Sequence, residues 1–297
     1  MIYSHIPVML KEIISFLDPK IGGKFIDCTL GGAGYTIAIA ELVAKEGKVL
    51  AIDLDEIALD NAKNLLKERK INNVKLVRSN FKNLDEAAET VFSQEELVDG
   101  IVFDLGLSSA QLDDEARGFS FKGERPLDMS FGPDNEISTE KIISSYPLIE
   151  LTRIFREYGE EKQAYRIAKK IVETRKKKKI KTTADLCALI EEIIPLRPWS
   201  KIHPATKVFQ ALRMETNKEL EVLTEALEKA EKRLKRGGRL VVVSFHSGED
   251  RIVKNFLKNR KGISFKILTK KPLGPEVSEI NNNKRARSAK LRVAEKI

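Results

Sequence analysis

The chain is predicted to be an α/β protein: a seven-stranded, mostly parallel, doubly wound sheet with an all-α domain inserted into it. Three observations predict this. Short, very apolar segments alternate with amphipathic helical ones over residues 24–105 and again over 206–295. Between those stretches the apolar residues recur at helical spacing only. The first strand, with Phe25-Ile26-Asp27-Cys28, runs into Thr29-Leu30-Gly31-Gly32-Ala33-Gly34, a glycine-rich turn that lets backbone approach a ligand where a helix begins.

Each element follows from local pattern. Residues 8–17 are apolar at helical spacing and stop at Asp18-Pro19, which gives a leading helix. Strands are expected at 24–30, 48–54, 74–79 and 99–105, with helices near 34–45, 56–70 and 83–95. Such short strands joined by helices imply right-handed crossovers with helices on both faces. After Gly106 come helical patterns at 138–157, 160–178 and 183–194. The domain plan is therefore 1–107 for the first part of the core, 108–204 for the insertion, and 205–297 for the rest of the core with a basic tail. A long helix is expected from Thr206 to Lys235, stopped by Arg236-Gly237-Gly238. Then come a strand at 239–245, a helix at 249–259 and strands near 263–269 and 289–295, the last two joined by a loop with Pro272, Pro275 and Asn281-Asn282-Asn283.

Composition bounds the function. The 297 residues are 42% hydrophobic, enough for a core, yet no apolar run reaches membrane-spanning length and the first residues lack a signal-peptide pattern. A cytoplasmic protein without a membrane partner is expected. Cys28 and Cys187 are expected in the core, which argues against a disulfide or zinc framework, and no metal is expected. The 53 Lys+Arg against 44 Asp+Glu give a formal +9, which favours a polyanionic partner, although lysine- and glutamate-rich surfaces also occur in heat-adapted proteins. Basic residues concentrate at 175–181 and 284–292, each run compact enough to hold several phosphates.

The glycine turn is followed by Asp53 at the end of the next strand, a spacing that suits hydrogen bonds to a ribose diol. A dinucleotide dehydrogenase and an S-adenosylmethionine-dependent methyltransferase both fit such a pocket. Asp27 inside the first strand, where it orients the turn or the cofactor's amino group, and the presence of only one mononucleotide half favour the methyltransferase. Phe81 is placed to cover adenine or to fill the core. The strand ending in Asp104, followed by Ser108 and Ser109, lies at the carboxyl edge of the sheet. Acceptors there would hold the hydrogens of an aromatic amine, favour pyramidal nitrogen and raise its nucleophilicity, while in-line positioning supplies much of the acceleration. His246 leaves an apolar strand at the same edge and either meets the target base or bonds backbone.

The blocks HIPVMLKE (5–12), DLGLSSAQLD (104–113), RGFSF (117–121), PLDM (126–129), YGEE (158–161), HPAT (203–206), FQALR (209–213), SFHS (244–247) and RARSAKLR (285–292) resemble, in this order and nearly end to end, the signature blocks of the bacterial 16S ribosomal RNA cytosine-N4 methyltransferase family. The resemblance implies a class I S-adenosylmethionine-dependent methyltransferase fold, with Rossmann-like core, and S-adenosyl-L-methionine as methyl donor. It implies as acceptor the N4 of a cytosine, nucleotide 1402, in the decoding region of 16S rRNA in the small ribosomal subunit. It carries cofactor contacts onto Ala33, Gly34, Tyr35, Asp53, Phe81, Asp104 and Gln111, to which the turn adds Gly32. Three positions depart from the family pattern: Ala33 replaces glycine, Tyr35 replaces histidine and Gly248 replaces leucine. The Ala33 methyl is tolerated where φ is negative, and narrows the space for the donor's methionine tail.

Weaker candidates complete the reading. His203 shapes a loop or touches RNA, Asp113, Asp114 and Glu115 cap a helix in preference to binding a metal, and Arg213 pairs with Glu215 or Glu219. Arg117, Phe119 and Phe121 interleave charge and rings, as base stacking or a domain hinge would require. Lys176, Lys177, Lys178, Lys179, Arg285 and Arg287 are expected to hold RNA backbone, with a solvated helix end as the alternative for the lysines. Cytosine N4 is hidden in a duplex, so the target base must be unpaired or flipped. The sequence is compatible with a monomer or a homodimer. A nicotinamide-dependent oxidoreductase, a non-catalytic RNA-binding factor and a DNA amino-methyltransferase are the rivals, the last disfavoured because Leu105-Gly106-Leu107-Ser108 stands where its Pro-Pro-aromatic motif belongs.

Overall fold

A computed structural model describes residues 7–106, 118–119, 123–132, 135, 137–197, 199 and 203–297. The chain divides into two compact units, Met1–Ser108 with Leu220–Ile297, and Ser109–Glu219.

The first unit is built on seven strands: β1 (Lys24–Asp27), β2 (Lys48–Asp53), β3 (Val74–Arg78), β4 (Val98–Asp104), β5 (Leu234–Ser244), β6 (Phe265–Ile267) and β7 (Lys290–Lys296). Their order in the sheet is β3-β2-β1-β4-β5-β7-β6. The first five pair in parallel, and β7 runs antiparallel to both β5 and β6. Side chains alternate across the sheet with period two. Leu50, Ile52, Ile101, Phe103, Leu240 and Val242 enter one core, under the helix Leu84–Glu89 (α4) and the helices beyond the insertion. Val49, Val102, Val241 and Val243 enter the other, under the leading helix Leu10–Leu17 (α1) and Gly34–Val43 (α2). Glu56–Glu68 (α3) packs Leu59, Ala62 and Leu66 on α2 and β2, and starts at Asp55, whose carboxylate accepts the Ile57 N–H at 3.0 Å. Because β1, β2, β4 and β5 point the same way, Asp27, Asp53, Asp104 and Ser244 all end at one edge.

The second unit is helical: Thr139–Ser145 (α5), Leu148–Glu157 (α6), Ala164–Arg175 (α7), Thr183–Glu191 (α8) and Thr206–Thr216 (α9). Its core is apolar residues at helical spacing, among them Ile142, Leu151, Phe155, Ile167, Ile171, Leu186, Ile190, Val208 and Leu212, all essentially solvent-free.

Three expectations change. The continuous pattern over 138–157 breaks into α5 and α6 at Tyr146, which is extended because Pro147 disfavours helical backbone in the residue before it. The long helix from Thr206 divides into α9 and Glu219–Arg233 (α10), with Lys218 left-handed at φ 47 between them. The expected return to the core at 205 shifts accordingly, since α9 packs with α5 and α6 and the division falls after Glu219. Beyond β5, Ser247–Arg260 (α11) matches the expected helix, whereas the proline-containing loop before β7 also holds a short helix, Val277–Asn282 (α12), and a 3-10 turn at Lys284–Ser288. Cys28 and Cys187 are both buried and neither is in a disulfide. No described helix is long and apolar enough to cross a membrane.

Candidate active site

The turn after β1 is held by aspartates from three strands, two through their carboxylates and one through its backbone N–H. Asp27 is fully buried and accepts the Thr29 N–H at 3.1 Å and the Thr36 hydroxyl at 2.7 Å, so it orients the turn and the first residues of α2. Asp53 reaches across from β2: its Oδ2 accepts the Gly31 N–H at 2.9 Å and its Oδ1 the Asp55 N–H at 2.9 Å. Asp104 ends β4, and its own N–H donates to Thr29 Oγ1 at 2.7 Å, tying the end of β4 to the start of the turn. Thr29 and Thr36 are positioning residues that the sequence reading passed over. The signal was there, a hydroxyl two and nine residues after a buried strand acid.

Ala33 corrects an expectation. It lies at φ 63, ψ 13, in the left-handed region, and not at negative φ. Its methyl packs with Leu30, Ile37, Ala51 and Leu59 in the core, so it does not narrow a ligand space above the turn. Gly31 is also left-handed at φ 47. Gly34 admits no side chain, since a Cβ there would sit 2.6 Å from Pro7 Cγ.

Tyr35 is buried, and its hydroxyl donates to the Val8 carbonyl at 2.5 Å while lying 3.3 Å from Asp104 Oδ2. The same leading segment is held from the far end of the chain, because Glu279 of α12 accepts the Met9 N–H at 2.7 Å. Burial and the neighbouring carboxylates push the Tyr35 phenol well above its usual range, so it acts as a neutral donor.

Electrostatics single out Asp104. Burial first, then the charges of Asp27 and Glu249, push its carboxyl up to about 8, against the lowering effect of the Tyr35 hydroxyl. Its Oδ1 is sealed from solvent and has no hydrogen-bond partner among the described residues. Burial likewise raises Asp27 and Asp53 to about 6, offset by the hydroxyl and backbone donors each accepts. An unpaired buried acceptor is costly unless a ligand satisfies it, so Oδ1 marks where a donor group is required.

Other candidates sort by contact. Phe81 is half-buried, in a 3-10 turn after β3, with its ring edge-on to Phe103 at 5.7 Å and 90°. It serves the core on one side and leaves part of its ring exposed. His246 caps α11: its Nδ1 accepts the Glu249 N–H at 3.3 Å while the Glu249 carboxylate takes the N–H groups of Phe245 and His246 at 2.8 and 3.2 Å. Its Nε2 lies 3.0 Å from Glu249 Oε1 but out of hydrogen-bonding line. The ring thus bonds backbone, as one of the two sequence alternatives had it, but as a helix cap to an N–H and not to a carbonyl. In the helical unit, His203 accepts the Ala205 N–H at 3.2 Å and faces Glu191, which shapes the loop before α9. Arg213 pairs with Glu219 through two bonds of 2.7 and 2.9 Å. Phe119 is buried against Phe131 at 5.8 Å and is a core residue. Ser108, Ser109, Gln111, the acids 113–115, Arg117 and Phe121 lie outside the described residues.

Comparison with known proteins matches this architecture. A family model described as the MraW methylase family matches residues 2–297. The chain belongs to the MraW methylase family. A relative named ribosomal RNA small subunit methyltransferase H, from Caldicellulosiruptor saccharolyticus, is 45% identical over 311 aligned residues, covering 99% of this chain and 100% of the relative. One of the same name from Kosmotoga olearia is 45% identical, covering 99% and 98%. A solved structure from Clostridium thermocellum, named as an rRNA-methylase, superposes with a TM-score of 0.51 at 17% identity, covering 99% of this chain and all of that one. Strand order and fold likeness make the first unit a class I methyltransferase fold.

Proposed function

We propose that this MraW-family chain transfers a methyl group from S-adenosyl-L-methionine to N4 of a cytosine, nucleotide 1402, in the decoding region of 16S rRNA. The observation that carries the reading is the sealed, unpartnered Asp104 Oδ1 at the carboxyl edge beside the glycine turn, in a chain whose relatives are named ribosomal RNA small subunit methyltransferases. The residues fit the donor. Gly31 to Tyr35 present the start of α2, and Asp53 keeps a second lone pair on each oxygen for ribose hydroxyls after its backbone bonds are made. Phe81 offers its exposed ring part to adenine, and Gln111 completes the set by family position. When bound, S-adenosylmethionine supplies an electrophilic carbon on a sulfonium.

The N4 lone pair of cytosine is delocalised into the ring, so the protein must localise it. Asp104, with its carboxyl raised to about 8, is ionised when the positive charge of the bound donor or a higher pH favours the carboxylate; it then accepts an N4 hydrogen through Oδ1, favours pyramidal nitrogen and holds the lone pair in line with the methyl carbon. The donor, when bound, would supply the methyl carbon to N4 and keep the C–S electron pair on its sulfur, and the Asp104 carboxylate would take the proton that the methylated nitrogen loses. Ser108 and Ser109, four and five residues further along the sequence, are the further polar contacts for the base in this reading. Lys176 to Lys179, Arg285 and Arg287 are exposed and hold phosphates by charge. Two other members of the basic runs are structural. Arg175 donates to the carbonyls of Ile143 and Tyr146 at 2.8 and 2.7 Å, and Arg292 is buried in a two-bond pair with Asp250.

The test is incubation with labelled S-adenosylmethionine and unmodified small subunits, followed by mass mapping of the modified nucleotide. Label on a decoding-region cytosine N4, reduced about 100-fold or more by Asp104→Ala, is the expected result. Label elsewhere, or none with the wild-type chain, overturns the proposal.

A further inference from the structure

The chain's charge is localised. Residues 162–181 contain ten Lys+Arg and one acid, a net of +9; the other 277 residues therefore hold 43 Lys+Arg and 43 Asp+Glu and balance to zero. The entire formal charge of the protein sits in one stretch that includes α7. A general lysine-rich surface would spread its excess, so this concentration points to a local polyanionic contact.

Helix geometry turns the stretch into a face. Ala164, Ile167, Ala168 and Ile171 are the buried stripe of α7. At about 100° per residue, Lys162, Tyr165, Arg166, Lys169, Glu173 and Lys176 fall within an arc of about 100° on the other side, extending about 16 Å along the axis from Tyr165 to Lys176. All six are exposed, and Tyr165 is 52% exposed, a large ring left in water among cations. Several basic groups are already engaged: Lys170 with Glu192 at 2.5 Å, Lys178 with Asp185 at 2.9 Å and Lys169, weakly, with Glu173 at 3.9 Å. Lys162, Arg166, Lys176, Lys177 and Lys179 enter no ion pair among the described residues.

We infer that the exposed face of α7 is an RNA-binding surface, on which Tyr165 stacks an unpaired base while Lys162, Arg166, Lys169, Lys176 and Lys177 hold the flanking phosphates. A duplex offers only its backbone to such a face, whereas an aromatic ring amid cations discriminates in favour of unpaired bases. The inference deepens the ribosomal RNA reading and rests on it.

The test uses the full chain and fluorescence anisotropy with two probes, a decoding-region RNA hairpin with an unpaired loop and the same strand fully paired to its complement. Tyr165→Ala is expected to weaken binding to the looped probe about tenfold and to leave the duplex unchanged, while Tyr165→Phe, which keeps the ring, restores it. Arg166→Gln with Lys169→Gln is expected to flatten the log-affinity against log-salt slope by about 1.5, for two lost phosphate contacts. All three positions changed are exposed, so thermal unfolding of the variants should match the wild type. Equal affinity of Tyr165→Ala and wild type for the looped probe overturns the inference, whatever the charge variant does. Wild-type methyl transfer accompanied by unaffected variants rejects this surface alone; absence of wild-type transfer rejects the reaction beneath it.

Discussion

At residue 33 the chain carries a Cβ into left-handed backbone, at φ 63. An L-residue there costs about 1–2 kcal/mol, partly repaid by burying the methyl. Ala33→Gly should therefore stabilise the protein by up to about 1 kcal/mol and Ala33→Val destabilise it by about 2 kcal/mol or more, read as midpoints of denaturant unfolding. Asp104 carries a second residue-scale consequence. Its folded carboxyl, raised to about 8, binds a proton that the unfolded chain has already lost above about 4, so stability falls as pH rises through that window. Asp104→Asn lacks this loss. The melting temperature of the variant relative to wild type should climb between about pH 4 and pH 8 and level off above, and a pH-independent difference would show that the carboxyl is not buried in this way. Tyr35→Phe removes the donor to the Val8 carbonyl and should cost about 1–2 kcal/mol. Strand ends and turn spacing marked Asp27, Asp53 and Asp104 in the sequence, and the family resemblance added Tyr35. It did not show that Tyr35 would serve the leading segment, or that His246 would cap a helix, because those contacts join residues far apart in the chain or depend on side-chain orientation.

Among elements, the strands and the crossover helices were legible because each is apolar with its own period and ends at its own glycine, proline or capping acid. Two helix breaks differ in kind. Pro147 announces the first, since its ring forbids the preceding residue a helical conformation, and a closer reading of that residue would have found it. The second follows no breaker: amphipathic spacing continues past Thr216, and the chain turns because Asn217 has better partners than helix. Its amide donates to the carbonyls of Met129 and Arg213, both at 2.8 Å, and its oxygen accepts from Phe131 N–H and Asn135 Nδ2, both at 2.8 Å. Asn217→Ala would leave several of these groups unpaired and should cost about 2–3 kcal/mol, measurable by calorimetric unfolding of the full chain. A loss below about 0.5 kcal/mol would mean that water replaces the side chain.

For the whole molecule, charge distribution predicts behaviour toward RNA more than total charge does. Raising salt from 50 to 200 mM should lower affinity for small-subunit RNA steeply. Changing Lys176, Lys177 and Lys179 together to Gln should flatten the slope by about 2, and Arg285 with Arg287 to Gln by about 1.5; an unchanged slope would reject either group as phosphate-binding. The sequence by itself determined the fold class, the seven strands, the presence of a helical insertion and the family, because periodicity, turn chemistry and motif order are local properties written along the chain. Only the tertiary structure decided which acid keeps an unpaired oxygen, which arginines of the basic runs are spent on carbonyls and carboxylates, and that the insertion retains α9. Each of these depends on which distant groups reach hydrogen-bond distance once water is excluded, and no local pattern encodes that.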